Sequence, residues 1–368
     1  MPAGILSVTN TGIVHTSNNA ISAFPLGGLS SPTITTSAPL FTVDGVGSQL
    51  NVDAGLLRAA DFTTVRSLEG VLQITAGGSA TIGGSVAALG NGSNLNRDRG
   101  ELSLAPLITV QGNGGVPSPC PPSCNLSAGR IASIDGTPAP ADMTAGGLLR
   151  LTNGAAAETT GPTFLRNGRL VTVSATVSAP VFQVDASLLN AATTILEMDN
   201  STVISGNLLQ VNNAGTVSAA GNFVTLSTAS TMTVTGHFLN VNGPGSTVTI
   251  TGNLLALNTG STLNINNGAL VNVSNGGSFS LTGFLAVLPP GNTLNITNNL
   301  CAGGCPLLAG VPVLFANGGL LTNVTIGAAP PPSTSPYTAF SGGTATLIGT
   351  PAVIVVDGPT STVRLGGF

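Results

Sequence analysis

The stretch that decides the fold is STVTITGNLLALNTGSTLNINNG, residues 246–268. Polar and apolar residues alternate at its start, so that Val248 and Ile250 would share one face of a strand. Gly252 interrupts the alternation, a short apolar run follows, and an Asn/Thr/Gly/Ser turn leads back to threonine at Thr262. One such repeat therefore contains two short strands and two corners.

The same repeat recurs through residues 202–300, with a period of about 15 residues. Its copies begin at Thr202, Thr216, Thr231, Thr247, Thr262, Phe279 and Thr293. A single repeat cannot bury its own apolar face, whereas stacked repeats can, as parallel coils about 4.8 Å apart that form continuous sheets. The pattern predicts an all-β protein, a parallel β-solenoid (β-helix) with coils of about 15 residues.

Glycines recur at one phase of the repeat, at Gly206, Gly221, Gly236 and Gly252. We expect each of them either to turn the chain with a positive φ or to approach the neighbouring coil closely. A β-sandwich with short strands and glycine turns is the alternative fold, but it does not require one residue type to recur at one phase. The solenoid is therefore favoured, and the absence of a helical 3.6-residue stripe excludes an all-helical fold.

A second pattern places a proline before a short apolar strand, where the missing N–H is tolerated. It occurs in SAPLFTVDG (37–45), LAPLITVQG (104–112), SAPVFQVDA (178–186) and TPAVIVVDG (350–358). These segments predict further coils of the same solenoid, separated by loop insertions. We therefore predict an irregular β-solenoid region over 1–184, regular repeats over 185–300, and terminal coils with a proline-rich loop over 301–368.

The run at 246–268 and its neighbours resemble the β-solenoid shafts of bacterial secreted and surface proteins, of the filamentous-haemagglutinin and autotransporter-passenger class. The resemblance covers residues 185–300 well and the rest of the chain loosely. It implies an extracellular or cell-surface location and a structural or adhesive role.

The composition restricts the partners. Only 6% of the residues are charged and none is lysine, against about 25% charged residues in a typical soluble domain. A net charge of −4 without any basic patch argues against nucleic acid as a partner. The sequence also contains no run of 18 apolar residues of the kind that would indicate a membrane-spanning helix. The partner that we expect is a second copy of the chain, with surface glycans as a further candidate.

The sequence contains few ionisable side chains that could serve as a general acid or base. Residues 200–356 contain no Asp, Glu, Lys or Arg, and His237 lies at a repeat corner, where it is expected to be a polar turn residue. The densest charged group upstream could line a cleft with Asp53, Asp61 and Glu69, but surface ion pairs on loops are the favoured interpretation. RDRGE (97–101) is balanced in charge and indicates a loop tip or an intersubunit contact. We predict no enzyme, and no catalytic, cofactor-binding or metal site.

The four cysteines form two C-x-x-x-C pairs, Cys120/Cys124 and Cys301/Cys305, in turn-rich segments. We predict two local disulfides, which would place the protein outside the cytoplasm. Free thiols, or a Cys₄ metal site assembled from both pairs, are the alternatives.

The predicted function is that of a structural subunit. Strand-like sequence near both termini, without a helical cap, would leave open sheet edges that template pairing with another chain. Head-to-tail stacking or strand donation would then give an extracellular filament or surface layer. An adhesin shaft is the alternative. An ice-binding protein is a weaker one, because the T-x-T pairs Thr231/Thr233 and Thr247/Thr249 are expected on the outer face of successive coils. A polysaccharide-processing β-helix enzyme is likewise a weaker alternative.

Overall fold

The computed structural model describes residues 4–9, 11–25, 32–96, 104–114, 124–174, 177–266, 268–283, 285–287, 289 and 291–297, and the backbone of five later strands. These residues form strands, turns and bends, and no helix occurs among them. The chain divides into two compact units, a first unit of residues 1–192 and a second unit of residues 193–368. Each unit is described by itself.

The first unit contains short strands, mostly of three or four residues, connected by tight corners. They are β1 (Leu6–Val8), β2 (Ile13–Thr16), β3 (Ile21–Ala23), β4 (Thr33–Thr36), β5 (Phe41–Asp44), β6 (Gln49–Val52), β7 (Leu57–Ala59), β8 (Thr64–Ser67), β9 (Leu72–Thr75), β10 (Ser79–Gly90), β11 (Asn94–Leu95), β12 (Ile108–Gln111), β13 (Leu126–Asp135), β14 (Ala141–Ala145), β15 (Leu149–Thr152), β16 (Ala156–Thr159), β17 (Thr163–Arg166), β18 (Gly168–Ser174), β19 (Val177–Ser178), β20 (Phe182–Asp185) and β21 (Leu188–Ala191).

The strands of the first unit pair in parallel as four ladders. Ladder 1 is β1-β5-β9-β12-β15-β20, ladder 2 is β2-β6-β10-β13-β16-β21, ladder 3 is β3-β7-β10-β13-β17, and ladder 4 is β4-β8-β11-β14-β18. The long strands β10 and β13 serve ladder 2 with their first half and ladder 3 with their second half. The chain visits the four ladders in turn, so one coil has four strands and four corners, which we call corners 1–2, 2–3, 3–4 and 4–1. β19 pairs antiparallel with β18, as a hairpin inserted at corner 4–1.

The second unit repeats this arrangement. Its strands are β22 (Leu196–Asp199), β23 (Thr202–Ser205), β24 (Leu209–Asn212), β25 (Thr216–Ala219), β26 (Val224–Ser227), β27 (Thr231–Val234), β28 (Leu239–Asn242), β29 (Thr247–Ile250), β30 (Leu255–Leu257), β31 (Thr262–Asn266), β32 (Val271–Ser274), β33 (Ser278–Leu281), β34 (Ala286–Val287), β35 (Thr293–Thr297), β36 (Leu314–Asn317), β37 (Leu320–Val324), β38 (Thr344–Ile348), β39 (Ile354–Asp357) and β40 (Thr362–Leu365). Numbered in the same way, ladder 1 is β24-β28-β32-β36-β39, ladder 2 is β25-β29-β33-β37-β40, ladder 3 is β22-β26-β30-β34, and ladder 4 is β23-β27-β31-β35-β38.

The predicted all-β parallel solenoid is confirmed, but the predicted coil of about 15 residues is wrong. Thr216 lies opposite Thr247, and Asn253 bonds to Asn222 across the same coil step, a sequence separation of 31. The sequence repeat is half of a coil: the repeat from Thr216 forms ladders 2 and 3, and the next repeat, from Thr231, forms ladders 4 and 1. Because facing sheets stand about 10 Å apart, four strands leave room inside the coil for Phe and Leu side chains.

Columns of inward apolar side chains form the core of each unit. In ladder 1 of the first unit the inward residues of successive coils are at most 2% exposed; they are Phe41, Leu72, Ile108, Leu149 and Phe182. In the second unit the rings of Phe223 and Phe238 pack edge to face, with centroids 5.6 Å apart. Burying one such side chain stabilises the fold by about 1.5–3 kcal/mol, so each coil is held by the coils that cover it.

The phase-locked glycines are explained by close approach and not by positive φ. Gly221, Gly236 and Gly252 all have ordinary φ values. A Cβ on Gly252 would lie 2.5 Å from the backbone carbon of Gly221 in the coil below. Glycine is needed here because only a residue without a side chain lets two backbones meet so closely.

The proline-containing segments form the predicted further coils. β5, β12 and β20 are strands of ladder 1 in the first unit, and β39 is a strand of ladder 1 in the second. The three regions predicted from the sequence remain a prediction, since the structure divides the chain into two units and describes only five strands within 301–368.

Candidate functional site

The acidic residues considered for a catalytic cleft do not converge. Asp53 follows β6 at corner 2–3, Asp61 follows β7 at corner 3–4, and Glu69 follows β8 at corner 4–1. Three successive corners of one coil point away from one another. A cleft lined by these three carboxylates is therefore not formed.

Two of these acids have surface partners instead. Oδ1 of Asp53 lies 2.9 Å from Nε2 of His15, and both side chains are about 60% exposed. Oδ1 of Asp61 accepts a 2.7 Å hydrogen bond from the amide of Asn91. Exposed pairs of this kind contribute little to stability.

His237 is more than a polar residue in a turn. Its Nδ1 accepts a 3.0 Å hydrogen bond from the backbone N–H of Ala269, and its own backbone N–H donates to Oδ1 of Asn207 at 2.7 Å. Burial lowers the pKa of the imidazole from 6.5. His237 thus connects to both neighbouring coils: its backbone N–H bonds to the coil below, and its neutral ring, with the proton on Nε2, bonds to the coil above.

The T-x-T pairs do not lie on one face. Thr231 and Thr233 are in ladder 4, whereas Thr247 and Thr249 are in ladder 2, because successive repeats occupy opposite halves of the coil. The prediction that they form successive rungs is wrong, and ice binding is correspondingly less well supported. A threonine column does exist in ladder 4, formed by Thr202, Thr231, Thr262 and Thr293.

A concave surface lies on the first unit, at corner 4–1 and the adjoining outer face of ladder 1. It is a groove of about 450 Å³. Its lining comes from four successive coils and comprises Glu69, Leu104, Ala105, Pro106, Thr109, Gly146, Arg150, Ala179, Pro180 and Gln183. The β18–β19 hairpin is inserted directly before Ala179, so an insertion of the irregular region borders the groove.

Strand register places the polar groups of the groove in a row. Thr109 pairs with Arg150, and Arg150 with Gln183, on neighbouring strands of ladder 1, and all three side chains alternate with buried residues and so point outward. Glu69 and Arg150 are exposed. Within the described part of the chain, these four side chains form no hydrogen bond or ion pair with one another or with other residues. No described residue therefore competes with a ligand for these four side chains.

Sequence reasoning considered Glu69 for the wrong kind of site and missed the rest of the groove. The available signal was LAPLITVQG and SAPVFQVDA, which place Thr109 and Gln183 at the same position of an equivalent strand. Arg150 follows GGLL, which lacks the proline, and therefore escaped that comparison.

Several predicted features lie outside the described residues. These are Cys120, Cys301 and Cys305, and the charged segment 97–101. Sγ of the remaining cysteine, Cys124, lies 4.0 Å from Oε2 of Glu158. Both disulfides therefore stay predictions. Among the residues with described positions, no group of three or more His, Cys, Asp or Glu side chains is placed to hold a metal ion, and no helix is long and apolar enough to cross a membrane.

Comparison with known proteins gave no relative: no protein-family model, curated protein or solved structure matches the chain.

Proposed function

We propose that the chain is a structural subunit that assembles end to end, as an extracellular filament or surface layer. The proposal rests on the first coil of the first unit, formed by β1 to β4. The extracellular location rests on the resemblance and on the cysteine pairs, which remain predictions.

In the first coil, several inward-facing core side chains are partly exposed, whereas the equivalent side chains of the second coil are buried. Val14 and Ile34 point inward but are partly exposed, while the residues opposite them in the second coil, Leu50 and Val65, are fully buried. Exposed large apolar side chains also concentrate there, as Ile5, Ile13 and Phe24. Among the described residues, no further coil covers this apolar end of the stacked core.

The backbone of the first coil also has strand edges to which a further strand could hydrogen-bond. In the part of the chain that is described, no strand bonds to the outer edges of β1, β2, β3 and β4. Unpaired edges of this kind template pairing with another chain. A second copy fits this end because its own coils repeat the same four-strand outline, with inward apolar and outward polar residues.

Charge does not oppose stacking. The strands β1 to β4 contain no Asp, Glu, Lys or Arg, whereas proteins that avoid edge pairing place charged residues, especially lysine, on such edges. An uncharged apolar end with free backbone groups favours a heterologous head-to-tail contact, which grows into an open filament.

The test is a concentration series by sedimentation velocity and electron microscopy on the full chain and on Ile34→Lys. We expect the unchanged chain to form end-to-end oligomers that lengthen with concentration. Ile34→Lys should remain monomeric, because assembly would bury an unpaired ammonium group in the core.

The matched control is Thr35→Lys, one residue further along the same strand, whose side chain is exposed on the outer face. It adds the same charge and should assemble like the unchanged chain. Thermal unfolding checks that both variants fold. A monomeric unchanged chain at its solubility limit, or assembly by Ile34→Lys equal to that of Thr35→Lys, would refute the proposal.

A further inference from the structure

We infer that the groove at corner 4–1 of the first unit, defined by Glu69, Pro106, Thr109, Arg150, Pro180 and Gln183, binds an uncharged glycan chain running along the solenoid axis. This is a binding activity separate from assembly, and it does not depend on the first coil. It would give the protein an adhesive role in addition to a structural one.

The spacing of the polar groups suits a polymer of sugar rings. Thr109, Arg150 and Gln183 occupy one outward column in consecutive coils, which places them about 4.8 Å apart. That interval is close to the length of one pyranose ring in an extended chain. Successive sugars could therefore meet successive side chains in the same orientation.

The chemistry of the row matches hydroxyl groups, which both donate and accept hydrogen bonds. Arg150 only donates, the carboxylate of Glu69 only accepts, and Thr109 and Gln183 do both. With one acid, Glu69, and one base, Arg150, the described lining of the groove has no net formal charge. A nucleic acid or an acidic polysaccharide would require an excess of positive charge, so a neutral glycan is the better match.

The remaining lining offers the apolar contacts that the C–H faces of sugar rings need. Pro106 and Pro180 stand two residues before β12 and β20, with Ala105 and Ala179 beside them. Ligand sites typically combine such apolar walls with a few placed polar groups. Among the described residues that line the groove there is no aromatic ring, so we expect weak binding by a single chain.

The experiment titrates the full chain, by calorimetry and by NMR of the sugar, with uncharged hexasaccharides of glucose in both 1,4-linkages, N-acetylglucosamine, mannose and xylose. We expect at least one to bind, with an affinity that is nearly independent of salt, since no net charge is neutralised. Arg150→Gln should weaken that binding about tenfold or more, which is the loss of one charge-assisted hydrogen bond.

Arg169→Gln is the matched control. Arg169 is also exposed, but it lies on β18 in ladder 4, away from the groove. It should leave the affinity unchanged, and Gln183→Ala should reduce it. Failure of all five sugars to bind, binding that is lost in salt, or equal effects of Arg150→Gln and Arg169→Gln would overturn the inference.

Discussion

The first and the second unit have the same four-ladder coil but build corner 4–1 differently. In the first unit the position two residues before each ladder 1 strand alternates between glycine and proline. In order these residues are Gly4, Pro39, Gly70, Pro106, Gly147 and Pro180. A Cβ on Gly70 would collide with the carbonyl oxygen of Pro106, and one on Gly147 would lie 2.7 Å from that of Pro180.

In the second unit the same position before β24, β28 and β32 is occupied by Asn207, His237 and Ala269. Here a side chain makes the connection. The side-chain oxygen of Asn207 accepts a hydrogen bond from the backbone N–H of His237, and the ring of His237 accepts one from the backbone N–H of Ala269. The first unit thus relies on backbone shape at this corner, whereas before β28 and β32 of the second unit the side chains of Asn207 and His237 make the connection to the next coil.

This difference at corner 4–1 indicates where the solenoid tolerates insertions. The corners that contain Asn207, His237 and Ala269 are all short. In the first unit, by contrast, the two corners with Pro106 and Pro180 carry insertions, a long connection between β11 and β12 and the β18–β19 hairpin before β20. A proline has no N–H with which to bond the neighbouring coil, so extra chain arriving there breaks fewer contacts. The groove is lined by the described residues that directly follow these two insertions, among them Leu104 and Ala179.

The largest expected effect comes from an alanine at corner 4–1 of the first unit. Gly70→Ala should lower the free energy of unfolding by about 3 kcal/mol, because the new Cβ meets backbone of the next coil and has no room to move. Gly70 also has a φ of +88°, which strains any L-residue. Denaturant unfolding of the full chain measures the change.

The second unit supplies the control for this comparison, since alanine already occupies the same position at Ala269. His237→Ala should cost about 1 kcal/mol, the loss of one hydrogen bond. Equal costs for Gly70→Ala and His237→Ala would show that both units use the same kind of corner.

An effect smaller than that of Gly70→Ala is expected at corner 3–4, where the two units have the same hydrogen bond between coils. The hydroxyl of the buried Ser230 donates to the carbonyl of Ser227 at 2.6 Å and accepts from the N–H of Ser201 in the coil below at 3.2 Å. Ser93 accepts from Thr63 in the same way in the first unit. Ser230→Ala should cost about 2 kcal/mol, because it removes both hydrogen bonds of a buried hydroxyl, each of which contributes about 1 kcal/mol.

Ser93→Ala should show a cost of the same size, measured by the same unfolding experiment. Ser218→Ala is the surface control, since that hydroxyl lies on the outer face of ladder 2, and it should change the stability by less than about 0.5 kcal/mol. A cost for Ser93→Ala alone would mean that corner 3–4 also differs between the units.

Much of the fold was predictable because one strand pattern is written repeatedly in the sequence. The alternation around Val248 and Ile250 predicted strand positions and inward faces correctly. The coil length was not predictable, because successive repeats have similar sequences. The sequence of one repeat does not indicate whether it stacks on the next repeat or on the one after it. Closure of the coil, which depends on the room that the core side chains need, decides that question.

The groove was beyond sequence reasoning for a related reason. Arg150 is further from Thr109 along the chain than Gln183 is from Arg150, so no single period in the sequence connects the three residues. Only the pairing of β12, β15 and β20 places them in one row.

The smallest effect concerns pH and separates the two units most cleanly. Protonation of His237 on Nδ1 would remove the acceptor that Ala269 uses, and burial lowers its pKa from 6.5. Between 6.5 and the lowered pKa the unfolded chain binds more protons than the folded chain, so stability falls as the pH is lowered through this interval and then levels off. Glycine and proline at the same corner of the first unit do not titrate.

His237→Asn tests this directly, because it restores the residue type of Asn207 in the same column. Residues 200–356 contain no Asp, Glu, Lys or Arg, so the strands on either side of His237, β24 and β32, carry no other charged group. We expect the variant to match the unchanged chain in unfolding midpoint above pH 7 and to lose the decline below 6.5. An unaltered pH dependence in His237→Asn would mean that the imidazole does not link the coils, and that the second unit is held at this corner by backbone pairing alone.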